Sequence, residues 1–239
     1  MTLLDRLINL FSSPGSAFDG LDEKPLTAGT VVLVISVTIV ISSLMSVWFT
    51  SDPDISEQMR SVQIGKIQKQ IEQGKIPAEQ GQVMLAQMEE FGDSNMALVF
   101  GIVGAVFGTI LFFFLISLYV MVMAKFIGTV EQYPFSLAMS VTAIGFMFGW
   151  VQSLVGTAIK ISMGDMYASI SPYLVISEYD HSNLVHYVLS QADLLMIAYL
   201  AILIIGLKVT ARMSWTGSAL SIAIPYMILA FVGFVLNSL

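Results

Sequence analysis

Five stretches of this chain contain no Asp, Glu, Lys, Arg or His: Leu26–Thr50, Met96–Ala124, Phe135–Ile159, Leu194–Leu207 and Trp215–Leu239. Four of them reach the roughly 20 residues that a helix needs to cross the hydrocarbon layer of a bilayer. Within lipid the backbone must satisfy its own hydrogen bonds, so each such stretch is expected to be a helix. The fifth, extended to 192–210, is bounded by Asp193 and Lys208 and completes a hairpin with the last stretch. Only 11% of residues are charged, less than half the usual share of about 25% for a soluble domain. Most of the surface must therefore face lipid.

The expected fold is an all-α integral membrane protein with five transmembrane helices at about 27–49, 96–126, 135–159, 192–210 and 215–237. Residues 1–26 form an N-terminal amphipathic helix and connector, and 27–239 form the membrane domain with a polar insert at 51–93. Leu3, Leu4, Leu7, Ile8 and Phe11 recur at the spacing of one helical face, with Asp5, Arg6 and Asn9 opposite. A helix this short cannot span, so it either lies in the membrane interface or packs its stripe on the bundle. Asp5 and Arg6, and the absence of a small-residue cleavage site, argue against a cleavable signal.

In the insert, Ile64, Ile67 and Ile71 precede Gly74-Lys75-Ile76-Pro77, and Met84, Leu85, Met88 and Phe91 follow it. Glycine past one helix and proline at the start of the next predict an antiparallel helical hairpin outside the membrane. The second polar excursion, 160–190, carries Asp165, Glu178, Asp180, His181 and His186. Their spacing is better explained by solvated loop positions than by a metal site.

Small residues repeat along two spans. Gly104 and Gly108 form a GxxxG in the second, and Gly145 and Gly149 continue to Ser153 and Thr157 in the third. Such ladders let helix backbones approach closely in lipid. Gln152 sits mid-span and must face protein or a partner, while Pro225 predicts a kink in the last span. Basic residues near span ends set orientation: Lys24, Lys125, Lys208 and Arg212 against Arg60 and Lys160 favour a cytoplasmic N-terminus and an outside C-terminus.

No acidic, basic or histidine side chain lies in mid-membrane, which argues against a proton relay or voltage sensor. The five spans do not divide into two similar halves, unlike many secondary transporters. There is no HExxH, nucleophile elbow or phosphate-cradling glycine loop. Met163-Gly164-Asp165 departs from the Gly-x-Gly-Asp of intramembrane aspartyl proteases, because Ser162 holds the first glycine position. The absence of cysteine removes thiolate chemistry, and a net charge of −7 argues against nucleic acid. No cofactor and no enzymatic activity are expected.

The layout resembles the Yip domain family of five-span membrane proteins, named for binding Ypt/Rab GTPases in eukaryotes. The resemblance lies in Ser13-Pro14, Phe18 and Leu21-Asp22-Glu23-Lys24-Pro25, and in Asp193-Leu194, Ile204-Ile205-Gly206-Leu207, the basic connector and Ala219. The hairpin with Ile76-Pro77-Ala78-Glu79-Gln80 looks like bacterial members. Leu195 and Ala198 stand where bacterial relatives often carry Phe and Trp. Eukaryotic relatives act in vesicle trafficking and carry a longer cytosolic N-terminal region, which is not expected here, so the resemblance does not carry Rab binding over. The amphipathic N-terminal helix, the small-residue ladders and the lack of charge in mid-membrane lead to the expectation of a non-enzymatic protein of a bacterial inner membrane. Its expected partners are the lipid bilayer, an unidentified membrane or peripheral protein, and a second copy of the chain. The function expected is a scaffold or adaptor; the alternative is a permease or channel for a small neutral solute.

Overall fold

A computed structural model describes residues 1–92, 96–130, 132–172 and 183–238, with side chains described outside 88–100 and 236–238. Its elements are α1 (Leu3–Ser12), a 3-10 turn (Pro14–Phe18), α2 (Ala28–Ser51), α3 (Pro53–Glu72), α4 (Ala78–Gly92), α5 (Met96–Ile127), α6 (Phe135–Met163), α7 (Leu184–Gln191), α8 (Leu194–Thr210) and α9 (Trp215–Ser238). Among the described residues no strand occurs, and the chain is an all-α integral membrane protein. Four helices are long and apolar enough to cross a bilayer: α2, α5, α6 and α9. α7 and α8 reach that length and hydropathy only when taken together, and they meet at a 60° bend, so the described residues hold four to five candidate spans. Asn183 caps α7 and Asp193 caps α8, each carboxyl or amide oxygen accepting from backbone N–H groups that would otherwise be orphaned.

The crossing helices are not equivalent. In α6, 56% of the membrane window is buried, against 11–17% for α2, α5 and α9. Every residue from Leu137 to Phe148 except Met139 is buried, with α2, α5 and α8 packed around them. α6 is also the least apolar span, with a mean hydropathy of 1.5 against 2.1–2.5. A helix shielded from lipid can carry hydroxyls, provided each finds a partner. Thr142 donates back to Ala138, and Ser140 accepts from the Leu26 backbone N–H at 2.9 Å. Trp150 donates its indole N–H to Thr38 of α2 at 2.8 Å.

α1 begins with a capping box: Asp5 N–H donates to Thr2 Oγ1, and Thr2 N–H donates to Asp5 Oδ2. The Thr2 hydroxyl, which donates to Asp5 Oδ2 at 2.7 Å, and then the Thr2 N–H hold the Asp5 carboxyl below its ordinary range. The expectation that Arg6 lies opposite the buried stripe is wrong. Arg6 and Leu10 are the buried residues, Leu3 and Leu7 flank them on the core, and Leu4, Ile8 and Phe11 are exposed. α1 therefore packs one edge on the bundle and presents an apolar edge outward. Of the two sequence-level alternatives, packing on the bundle is the one seen, through Leu3, Leu7 and Leu10.

α3 and α4 form the expected hairpin. Gly74 takes a left-handed φ of 66° past α3, and Ile64, Ile67, Ile71 and Leu85 are half-buried between the helices. Met84, read as part of the inner stripe, is 43% exposed instead. Met88 and Phe91 lie outside the described side chains. A side chain at Gly81 would stand 2.3 Å from Ile71 Cδ1, so the glycine permits the close crossing.

Candidate functional site

At the end of the bundle that holds α1, the connector folds into a polar-lined knot. Arg6 reaches across the 3-10 turn and donates to the carbonyls of Ala17 and Asp19. Burial pushes its pKa down, opposed by the charge of Asp19. Pro14 starts that turn, whose missing N–H would have been orphaned anyway. The turn delivers Phe18, fully buried, onto Gly206 of α8. A Cβ at Gly206 would lie 2.8 Å from both Phe18 Cε1 and Val141 Cγ1, so only glycine lets the ring seat between α6 and α8. One turn on, Thr210 shares a 2.7 Å hydrogen bond with Tyr133, whose burial pushes the phenol up to about 12.

The same end carries all four predicted topology anchors. The turn after α5 is clasped to the α8–α9 turn by Thr129 N–H donating to Ala211 O at 3.2 Å. Arg212 sits at a left-handed φ of 51° and pairs with Asp22 at 3.8 Å. Lys208 lies over the Trp215 ring, 4.6 Å from its centroid. Lys24 and Lys125 are exposed, and Pro25 is half-buried in the connector.

At the opposite end, α3 docks on the turn after α6. Gln58 donates to Gly164 O and accepts from Met166 N–H, and Ile55 is fully buried beside it. Further along the segment, the Ile170 carbonyl accepts from Leu194 N–H at the start of α8. Asp193 caps α8 with Oδ1, which accepts from Leu195 N–H at 2.7 Å. Below this roof stands Lys160 of α6, half-buried, 5.5 Å from the Phe49 ring centroid and within electrostatic reach of Asp193 and Asp165. Glu178, Asp180 and His181 lie outside the described residues. No group of three metal-ligating side chains occurs among the described ones.

A family model of the Yip1 domain matches residues 8–237, from within α1 to the last turn of α9. The chain belongs to the Yip1 domain family. No characterised protein and no solved structure matches it. The family match covers both ends just described. In this Yip1 domain, Phe18 and Gly206 form one contact, although 187 residues of intervening sequence hide that from the one-dimensional pattern. Ala219 is half-buried in α9.

The glycine ladders divide. Gly145 is used within the chain, since a side chain there would stand 2.8 Å from Leu203 of α8. Gly104, Gly108 and Gly149 have nothing within 4 Å of an added Cβ. Gly104 and Gly108 instead line an open groove of about 410 Å³ with Thr38, Ala105, Thr109, Phe112 and Phe146. Of the four glycines that the sequence pattern assigned to helix packing, only Gly145 meets another helix of the same chain among the described residues. Gln152 is half-buried and makes no hydrogen bond among the described residues.

Proposed function

We propose that this Yip1 domain is a non-enzymatic membrane scaffold that recruits membrane protein partners through lateral helix contacts. The observation that carries the reading is the open face of α5. Gly104 and Gly108 are placed for close backbone approach, yet nothing of this chain approaches them. Glycine weakens a helix unless its missing side chain is used, and in lipid its use is packing. The reading is tested by photo-crosslinking in native membranes from position 107, next to Gly108, three residues from Gly104 and 71% exposed. Defined protein adducts are expected, and Leu at 104 and 108 together should abolish them without lowering thermal stability. Adducts unchanged by the two leucines would sink the reading.

The second reading is a permease for a small neutral solute, favoured by the unbonded amide of Gln152. It requires a continuous polar path, and the helix faces diverge. Thr38 and Ser46 of α2 face the α5 side, where Ser46 Oγ lies 3.4 Å from a Cβ added at Gly101. Gln152 lies on the α6 face whose lower end meets α8. Saturable flux into vesicles that Gln152→Leu abolishes would replace the scaffold reading with this one.

The membrane is the bacterial inner membrane, with the N-terminus cytoplasmic and the C-terminus outside. The gathering of Lys24, Lys125, Lys208 and Arg212 at one end of the bundle supports this orientation. With no native cysteine, single cysteines at Ser61, Gln132, Ser182 and Ser214 report the loops one at a time. Labelling of 132 and 214 from the cytoplasm is expected, and labelling of 61 and 182 from that side would reverse the orientation.

A further inference from the structure

The dense burial of α6 stops at Phe148, and α1 stops beside it. From Leu137 to Phe148 every residue but Met139 is buried, whereas every residue from Gly149 to Lys160 is half-buried or exposed. α2, α5 and α8 wrap the buried part, and α1 with its 3-10 turn packs there too. The ring of Phe11, next to last in α1, lies on that of Phe148 with centroids 5.8 Å apart.

α8 gives the depth of that contact. It runs antiparallel to α6, since Gly206 meets Val141 and Gly145 meets Leu203. Leu203 lies five residues inward from Lys208, and Phe148 lies three residues beyond Gly145. At a rise of about 1.5 Å per residue, Phe148 stands roughly 12 Å inward of the level of Lys208. Lys208 ends the uncharged run of α8 and covers the Trp215 ring, a pairing of base and indole suited to the membrane–water boundary. Phe11 therefore lies at the depth of the acyl chains.

The rest of α1 points into that layer. Arg6 reaches the carbonyls of Ala17 and Asp19, on either side of Phe18, whose ring meets Val141 over Gly206. Val141 lies about 10 Å short of Phe148 along α6, so α1 runs inward from Arg6 to Phe11. At its deep end the polar groups are satisfied within the chain. Ser12 donates its hydroxyl to Ile8 O, Ser13 N–H donates to Asn9 O, and the Ser13 and Ser16 hydroxyls bond each other. Backbone away from water requires such closure. The outward edge of this helix, Leu4, Ile8 and Phe11, is 56–64% exposed.

We propose that α1 is a re-entrant half-span, and that acyl chains of the leaflet on the Lys208 side cover Leu4, Ile8 and Phe11. An ordinary interfacial helix lies flat, about 5–10 Å into the boundary, with all its apolar residues at one depth. α1 instead descends along α6 and returns through the 3-10 turn. Lipid is the occupant because three side chains on a ten-residue helix fall far short of the roughly 800 Å² per partner that a stable protein interface buries.

The test uses the full chain in vesicles of phosphatidylethanolamine and phosphatidylglycerol. The native chain lacks cysteine, so nitroxides on L4C, I8C and F11C report one position each. Collision with oxygen, which concentrates among acyl chains, is compared with collision with a water-soluble nickel chelate on both vesicle faces. All three labels should favour oxygen, and the label at 11 should read about 5–10 Å deeper than the label at 4. S12C, exposed at the same end, should read as deep as F11C while keeping the Phe11–Phe148 contact. S61C, exposed on α3, should favour the chelate. Equal depths from 4 to 12 would make α1 a flat interfacial helix and overturn the re-entrant geometry. Labels at 8 and 12 that favour the chelate would overturn the lipid contact, as would labels shielded from both reagents, which show protein over the edge.

Discussion

Tyr119 on α5 donates its hydroxyl hydrogen to the carbonyl of Ser221 on α9. The reason lies four residues on, where Pro225 has no N–H to give that carbonyl. α9 nonetheless continues as one helix from Trp215 to Ser238, because a neighbouring helix supplies the bond that proline removes. The hydrogen bond lost at Pro225, where the sequence predicts a kink, is thus replaced in the tertiary structure. Tyr119→Phe should cost about 1–2 kcal/mol of stability by stranding the carbonyl. In a Pro225→Ala background, where the backbone donor returns, the same change should cost little. A double-mutant cycle on thermal unfolding in detergent measures the difference, and additive effects would refute the link.

Gly206 should tolerate nothing larger. Gly206→Ala places a methyl 2.8 Å from Phe18 and Val141 and should cost about 1–3 kcal/mol by overpacking. Gly104→Ala, in open space, should be neutral or slightly stabilising. Unfolding midpoints for the pair decide it: equal effects would mean that the Phe18 seat is not tight.

Arg6 holds the 3-10 turn closed. Arg6→Met keeps the apolar stem but strands the Ala17 and Asp19 carbonyls, a loss of about 1.5–3 kcal/mol for bonds to a charged donor. Amide exchange over residues 3–18 should quicken at least about tenfold, with α6 unaffected. Unchanged exchange would show that apolar contacts alone dock α1.

Tyr133 makes stability depend on alkaline pH. Its phenol titrates near the ordinary 10.0 when unfolded and is pushed up to about 12 by burial when folded, so between those values the folded state holds the extra proton. Stability is then fully present below pH 10 and falls as pH rises toward 12. Tyr133→Phe should flatten that slope when unfolding is followed from pH 8 to 12. An unaltered slope would place the titrating group elsewhere.

Much of the architecture was legible along the chain. The span limits near 49, 126, 159 and 210 fall within a few residues of the observed helix ends, because charged residues are expelled from lipid one position at a time. The α3–α4 hairpin was legible through Gly74 and Pro77, whose backbone limits act locally. Arg6 was misplaced because a helical stripe does not reveal that a turn eleven residues on will offer two carbonyls. The central place of α6 had a signal that went unread, namely its lower hydropathy among the spans. The Lys160–Asp193 neighbourhood had none, since it arises only where the break between α7 and α8 meets the end of α6.

Membrane residence and helical crossings followed from the sequence by itself, because excluding charge and satisfying the backbone are demands each segment meets alone. Which helix sits in the middle, which glycines are filled and which polar groups are left unbonded were decided only in the tertiary structure. Lipid is as apolar as leucine, so burial gives apolar helices no preferred neighbour. Contact shape and a few hydrogen bonds across helices, such as Tyr119 to Ser221, make that choice instead.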